Sequence, residues 1–164
     1  MDVKYKSIWT IQHIRDGKVI WEDVGPNSLS NQGQEEILET YFRNNTPFIP
    51  TQFYVRLCNE TLVLTSTLTS VSTEPAGTYG YAPILIPRTV GGFPTKTLVG
   101  PSWTITSIQV SWTATGGTIG PVTTAYLGTT NDNTGVLIAF RALSQTRTIL
   151  AGDTMTLQFA ISLS

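Results

Sequence analysis

The chain is expected to fold as a mainly β domain, an antiparallel β-sandwich or barrel-like structure with one α-helix, at about 31–43, packed on the sheet. Two stretches carry strict polar–apolar alternation. In Ser107–Ala114 the apolar set is Ile108, Val110, Trp112 and Ala114; in Thr154–Leu163 it is Met155, Leu157, Phe159, Ile161 and Leu163. A period of two places one face on a core and leaves the other polar. Short strand-like runs at regular intervals, joined by Gly-, Asn- and Asp-rich turns, favour antiparallel sheets. Only one segment has helical spacing.

The length of 164 residues fits one domain, 1–164, with enough chain to bury a core. Tyr5–Val24 reads as a hairpin about the turn Asp16-Gly17. That turn sets Ile14 opposite Val19 and His13 opposite Ile20. Trp9, Ile11 and His13 share one strand face and Ile8 and Ile14 the other, which predicts cover on both sides. Gly25-Pro26-Asn27 then breaks the strand.

Ser30 is an N-cap for the helix, and Glu35 and Glu36 favour its positive end. Ile37, Leu38, Tyr41 and Phe42 form an apolar stripe expected to face the core. Gly33 weakens the first turn, Arg43 closes the last, and Asn44-Asn45-Thr46-Pro47 ends the helix. Phe53–Cys58 is a short strand. An extended Gly/Pro-rich loop region follows at about 59–101, with one strand near Ile84–Arg88. A loop of that length is ordinarily functional or held by a partner. Val122–Gly128 and Val136–Leu143 read as further strands. Their connectors are Gly116-Gly117, Asn131-Asp132-Asn133-Thr134-Gly135 and Ala151-Gly152-Asp153.

Composition narrows the function. Charged residues make up 13% of the chain, against roughly 25% in ordinary soluble domains, so Thr, Ser, Asn and Gly cover much of the surface. Such a surface suits contact with other protein. The net charge of −1 and the scattered Lys and Arg disfavour nucleic acid. No apolar run approaches the ~20 residues of a membrane helix. The first residues lack a signal peptide's apolar stretch, so synthesis in a cytoplasm without a visible export signal is expected, and the Asn44 and Asn59 triplets carry no glycosylation meaning.

Catalytic constellations are weak. His13 and Cys58, the only residues of their types, form a dyad on paper, but no nucleophile motif surrounds either. They supply too few soft ligands for zinc. Glu35 and Glu39 share a helix face, as solvated helical carboxylates commonly do. The oxygen-rich Asn131–Gly135 loop lacks the downstream acidic ligand of a calcium loop and reads as a turn. Neither a metal nor a cofactor is expected, and the protein reads as no enzyme. The candidate partner interface is aromatic: Trp9, Trp21, Tyr79, Tyr81 and Trp103. Tyr79 and Tyr81, in a Gly/Pro-rich loop, are suited to anchoring a protein or stacking on a sugar.

Three stretches carry a family resemblance. The first is His13–Trp21, continuing through Pro26-Asn27-Ser28-Leu29. The second is the helix end Tyr41-Phe42-Arg43. The third runs from Gly116-Gly117-Thr118-Ile119-Gly120-Pro121-Val122 through Ala125-Tyr126-Leu127 and Leu137–Leu143 to Arg147-Thr148-Ile149-Leu150-Ala151-Gly152-Asp153-Thr154-Met155-Thr156-Leu157. Together they resemble small virion structural proteins of tailed bacteriophages, both head decoration and tail-associated. The resemblance covers both ends and leaves 59–101 unplaced. It implies a non-enzymatic capsid decoration (cement) protein located in the virion. Its implied partners are the major capsid protein or other virion proteins, and its own copies, a trimer being favoured. The alternatives are a tail tube or baseplate component, or a head or tail fibre module that binds host glycan. Met1–Ser7 and 59–101 are the segments expected to reach neighbouring subunits.

Overall fold

The computed structural model describes residues 4–43 and 50–163. Among the described residues the fold is mainly β and antiparallel, with one helix of 13 residues, two short 3-10 turns and sheets that do not close into a barrel. The strands are β1 (Tyr5–Arg15), β2 (Lys18–Pro26), β3 (Ser28–Leu29), β4 (Gln52–Cys58), β5 (Ile84–Pro87), β6 (Thr95–Val99), β7 (Ser102–Thr106), β8 (Val110–Thr113), β9 (Ile119–Gly128), β10 (Leu137–Ile149) and β11 (Thr154–Leu163). One sheet has the order β2-β1-β11-β7-β6, with β8 also paired to β11; the other has the order β3-β10-β9-β4-β5. Trp9, Ile11, Trp112, Leu157 and Phe159 from the first sheet meet Val55, Leu57, Val122, Ala125 and Leu127 from the second in one buried core. The result is a sandwich.

The Asp16-Gly17 turn has positive φ at both residues, 49° and 72°, the geometry that matches the twist of a two-residue hairpin. Ile14 pairs with Val19, but a bulge follows, so His13 faces Trp21 rather than Ile20. The extra residue sets His13 and Trp21 side by side. On β1, Ser7, Trp9, Ile11 and His13 are buried while the residues between them are only half-buried. The helix packs on β10 and not on this hairpin, so it is not the hairpin's second cover.

The helix starts where its cap requires: Ser30 Oγ accepts from the Gly33 amide at 2.9 Å. Ser30 also donates to the Leu137 carbonyl. Gly33 is needed for docking, because a Cβ there would meet the Ile138 carbonyl oxygen at 2.2 Å. The helical segment is α1 (Asn31–Leu38) continued by a wider π turn, Glu39–Arg43. Within α1 only Gly33 is buried. Leu38, Tyr41 and Phe42 are exposed and Ile37 is half-buried, so the apolar stripe does not enter the core as expected. The helix is fixed by its first turn, and the π turn changes the rotation per residue just where Tyr41 and Phe42 begin. The expected stop at Asn44-Asn45-Thr46-Pro47 lies outside the described residues.

The 59–101 region folds onto its own domain. Glu60 accepts from the Ser72 and Thr73 amides and the Thr73 hydroxyl. Leu62, Leu68 and Val71 join Cys58, Tyr126, Leu137 and Phe140 in a second small core. The first part of the stretch is thus tied to its own domain through Glu60 and the second core. Strand β5 lies where expected. The β6–β7 hairpin, turning at Gly100 with φ 58°, was not anticipated, because every residue of β6 is exposed and so no alternation marks it. Of Met1–Ser7, Tyr5, Lys6 and Ser7 pair with β11, and residues 1–3 lie outside the described residues.

Candidate functional site

The motif residues at the two chain ends meet in one place. His13 is buried on β1, and its Nε2 lies 2.8 Å from Asp153 Oδ2. Arg15 grips the same carboxylate, with Nη2 to Oδ2 at 2.7 Å and Nε to Oδ1 at 2.9 Å. Arg147 Nη2 lies 2.8 Å from His13 Nδ1, and its guanidinium stacks 5.0 Å from the Trp21 ring centre. A guanidinium only donates. Nδ1 must therefore accept, and Nε2 carries the hydrogen given to Asp153. The hydrogen bonds from Arg15 hold the Asp153 carboxyl well below the usual carboxylate range, and the one from His13 adds to them. Both ring nitrogens are thus spent on structural partners.

Cys58 is not brought to His13. It lies on β4, in the second core, and its Sγ donates to the Glu60 carbonyl at 3.9 Å. Burial pushes its thiol up to about 12, which suppresses the nucleophilic thiolate.

A second polar node ties the long loop to β4. Glu74 Oε1 accepts from Arg56 Nε at 2.6 Å, from the Tyr81 hydroxyl at 2.9 Å and from the Tyr126 hydroxyl. Arg56 also donates to the Asp132 carbonyl at 2.6 Å and to Asn133 Oδ1 at 2.8 Å. Two oxygens of the Asn131–Gly135 loop, the Asp132 carbonyl and Asn133 Oδ1, are therefore turned to a guanidinium, and Asp132 Oδ1 makes an Asx turn by accepting from the Thr134 amide at 3.0 Å. Burial and the Glu74 carboxylate push the Tyr81 and Tyr126 hydroxyls well above the usual phenol range. Among the described residues, no group of three or more His, Cys, Asp and Glu side chains is placed to hold a metal.

The five aromatic candidates do not form one surface. Trp9 is 0% exposed and stacks on Phe159 with ring centres 5.5 Å apart, and Tyr81 is 5% exposed and stacks on Trp112. Both belong to the core, because each sits on a strand or loop pressed between the sheets, so neither can anchor a partner. Trp21 is half-buried beneath Arg147. Tyr79 keeps an exposed edge, its ring lying across Gly117, where a Cβ would approach it to 2.4 Å. Trp103 remains on the surface at 54% exposure, with Lys96 Nζ 5.3 Å from its ring centre.

Among the described residues, one feature open to a partner is an apolar cleft of about 540 Å³ at the end of the sandwich beside the helix. Its floor is Phe53, Phe93, Leu127 and Phe159; Ile37, Tyr41 and Phe42 form the helix wall; Tyr5, Ile161 and Leu163 line the strand side. Glu36 and Arg88 are its charged residues. Burial, then the neighbouring Glu35, raises the Glu36 carboxyl, while Arg88 opposes the shift. Protein interiors hold few voids larger than a water molecule. Ordered water needs several polar partners, and the lining is dominated by apolar side chains, with Glu36, Thr40 and Arg88 in the minority. The apolar surface also runs past the cleft. Leu163 pairs with Trp103, and Trp103 pairs with Leu98, so these side chains share one face. Leu98 and Leu163 are exposed, as are Leu38, Tyr41 and Phe42 across the cleft. The helix residues were the ones missed: an amphipathic stripe reads the same whether it faces its own core or another molecule.

No protein-family model matches this chain, and no curated protein matches it.

Proposed function

We propose that this chain is a non-enzymatic structural protein of a bacteriophage virion, a capsid decoration (cement) protein that binds and stabilises the assembled head. The observation that carries this reading is the open apolar end of the sandwich, a surface suited to cover by protein. The polar groups with chemical potential support it from the other side. His13, Asp153 and Arg147 satisfy one another, as do Arg56, Glu74, Tyr81 and Tyr126. The resemblance in sequence falls on the first of these nodes and carries no catalytic residues. A decoration protein that binds only the assembled shell stabilises it by linkage.

A tail tube or baseplate subunit is the second reading. It is favoured by β6, an exposed strand at the end of its sheet order whose backbone can accept a neighbour's strand. The fibre reading loses half of its glycan platform, since Tyr81 is buried and only Tyr79 of that loop faces solvent. Locating the protein in the virion by a bound label separates the two. Label over the head surface supports decoration; label along the tail transfers the case to the tail subunit.

A further inference from the structure

We propose that the apolar cleft is covered by a second copy of this chain, in a two-fold contact that exchanges the helix ends. This rests on reading the open end as a docking surface and adds the identity of the partner.

Knob and hole lie on one face. The cleft is the hole; Tyr41 and Phe42, 71% and 79% exposed, stand at its mouth as knobs. An isologous contact requires this self-complementarity, since the same patch serves on both sides. A small ligand in the cleft would leave Trp103, Leu98 and Leu38 uncovered. A second copy covers both the cleft and its surroundings.

The aromatic side chains supply part of the area that a stable pair needs. With ~200 Å² for each aromatic side chain, Tyr41, Phe42 and Trp103 leave about 400 Å² open between them. That is on the order of half the ~800 Å² each partner contributes to a standard interface. Leu38, Leu98 and Leu163 extend the same patch.

The charges around the cleft are mostly paired, and Lys96 lies over the Trp103 ring, its Nζ 5.3 Å from the ring centre. Glu39 is paired with Arg43 at 2.8 Å on its own helix, and Arg88 lies close enough to Glu36 to offset its charge. Glu35 is exposed and can stay in water at the rim.

Sedimentation equilibrium of the full chain over a range of concentrations tests the proposal. The expected result is a dimer that Phe42→Glu, and separately Tyr41→Glu, weakens on the order of 100-fold, as a central aromatic anchor requires. Both side chains are largely exposed in the single copy, so these variants should keep the native circular dichroism spectrum and melting curve measured as monomers. Val24→Glu, on the exposed edge strand β2, should leave the dimer unchanged. A native chain that sediments as a monomer at tens of micromolar (roughly the range in which a stable interface would still hold) overturns the proposal. So does a dimer that neither helix substitution weakens, or a trimer in place of a dimer. Because no phage head enters this experiment, a monomer that still decorates heads would overturn the pairing and leave the decoration reading standing.

Discussion

The two ends of β1 are finished in opposite ways. At Arg15 the chain closes on itself with charge: Arg15, Arg147 and Trp21 gather around the buried His13–Asp153 pair, with the Arg15 side chain still open to solvent. At Tyr5, roughly 33 Å away along an 11-residue strand, the sandwich ends in apolar side chains around an open cleft. Polar groups withdrawn from water must be paired within the chain, because an orphaned one costs more than a made bond returns. Apolar groups carry no such requirement and can wait for another surface. The closed end therefore serves stability and the open end serves contact, and substitutions at the two should separate these effects.

The largest effect on stability is expected at the closed end. Asp153→Ala removes the shared acceptor of His13 and Arg15, stranding a buried imidazole and releasing the exposed Arg15 guanidinium to solvent. A loss of about 3 kcal/mol is expected, read as a lower denaturant midpoint at unchanged slope. A change under ~1 kcal/mol would mean that the cluster is not a structural node.

Next comes the point that sets the cleft. Gly33→Ala drives a Cβ into the Ile138 carbonyl, and a loss of about 1–3 kcal/mol is expected as the helix is pushed off β10. A neutral or stabilising result, the usual gain for Gly→Ala in a helix, would show that the helix does not dock as closely as described.

The closed end should also give the stability a sign with pH. Asp153 titrates lower in the folded chain than in the unfolded one. Its contribution is complete above the ordinary aspartate value of about 3.9 and is lost as pH falls through that value toward the depressed folded one. The stability of Asp153→Asn should therefore fall less steeply between roughly pH 4 and pH 2 than that of the native chain. Parallel pH profiles would remove Asp153 as the cause.

The smallest effect on a single copy is expected at the open end. Phe42→Ser should change monomer stability by no more than about 0.5 kcal/mol, since the ring is 79% exposed. A loss of ~3 kcal/mol would place Phe42 in its own core, as its sequence spacing suggests.

That spacing marks where the sequence was legible and where it was not. The alternation transferred over Val110–Ala114 and at Met155, Leu157 and Phe159, where one face lies on a core; Ser107 and Thr156 are buried on the other face, and Leu163 is exposed. Asp16-Gly17 marked the hairpin, and Ser30 the helix start. The bulge after Val19 was not visible, since nothing local fixes the extra residue; it is stabilised by Trp21 meeting Arg147 from far along the chain. The buried place of Tyr81 was hidden for the same reason. Its hydroxyl partner Glu74 lies in the same loop, but the slot between them is built by β4 and β9. The cleft left no signature, because its walls come from both sheets and the helix, each of which looks ordinarily amphipathic alone. The candidate list thus held two core residues, Trp9 and Tyr81, and lacked Tyr41 and Phe42.

The proposed role is tested most directly by adding the purified chain to phage heads that lack decoration. Saturable binding that raises the temperature at which the heads rupture is the expected result. Phe42→Glu should bind them more weakly if the pair of copies is the unit that docks. Heads that take up none of the native protein, or take it up without gaining resistance to heat, would contradict the decoration role.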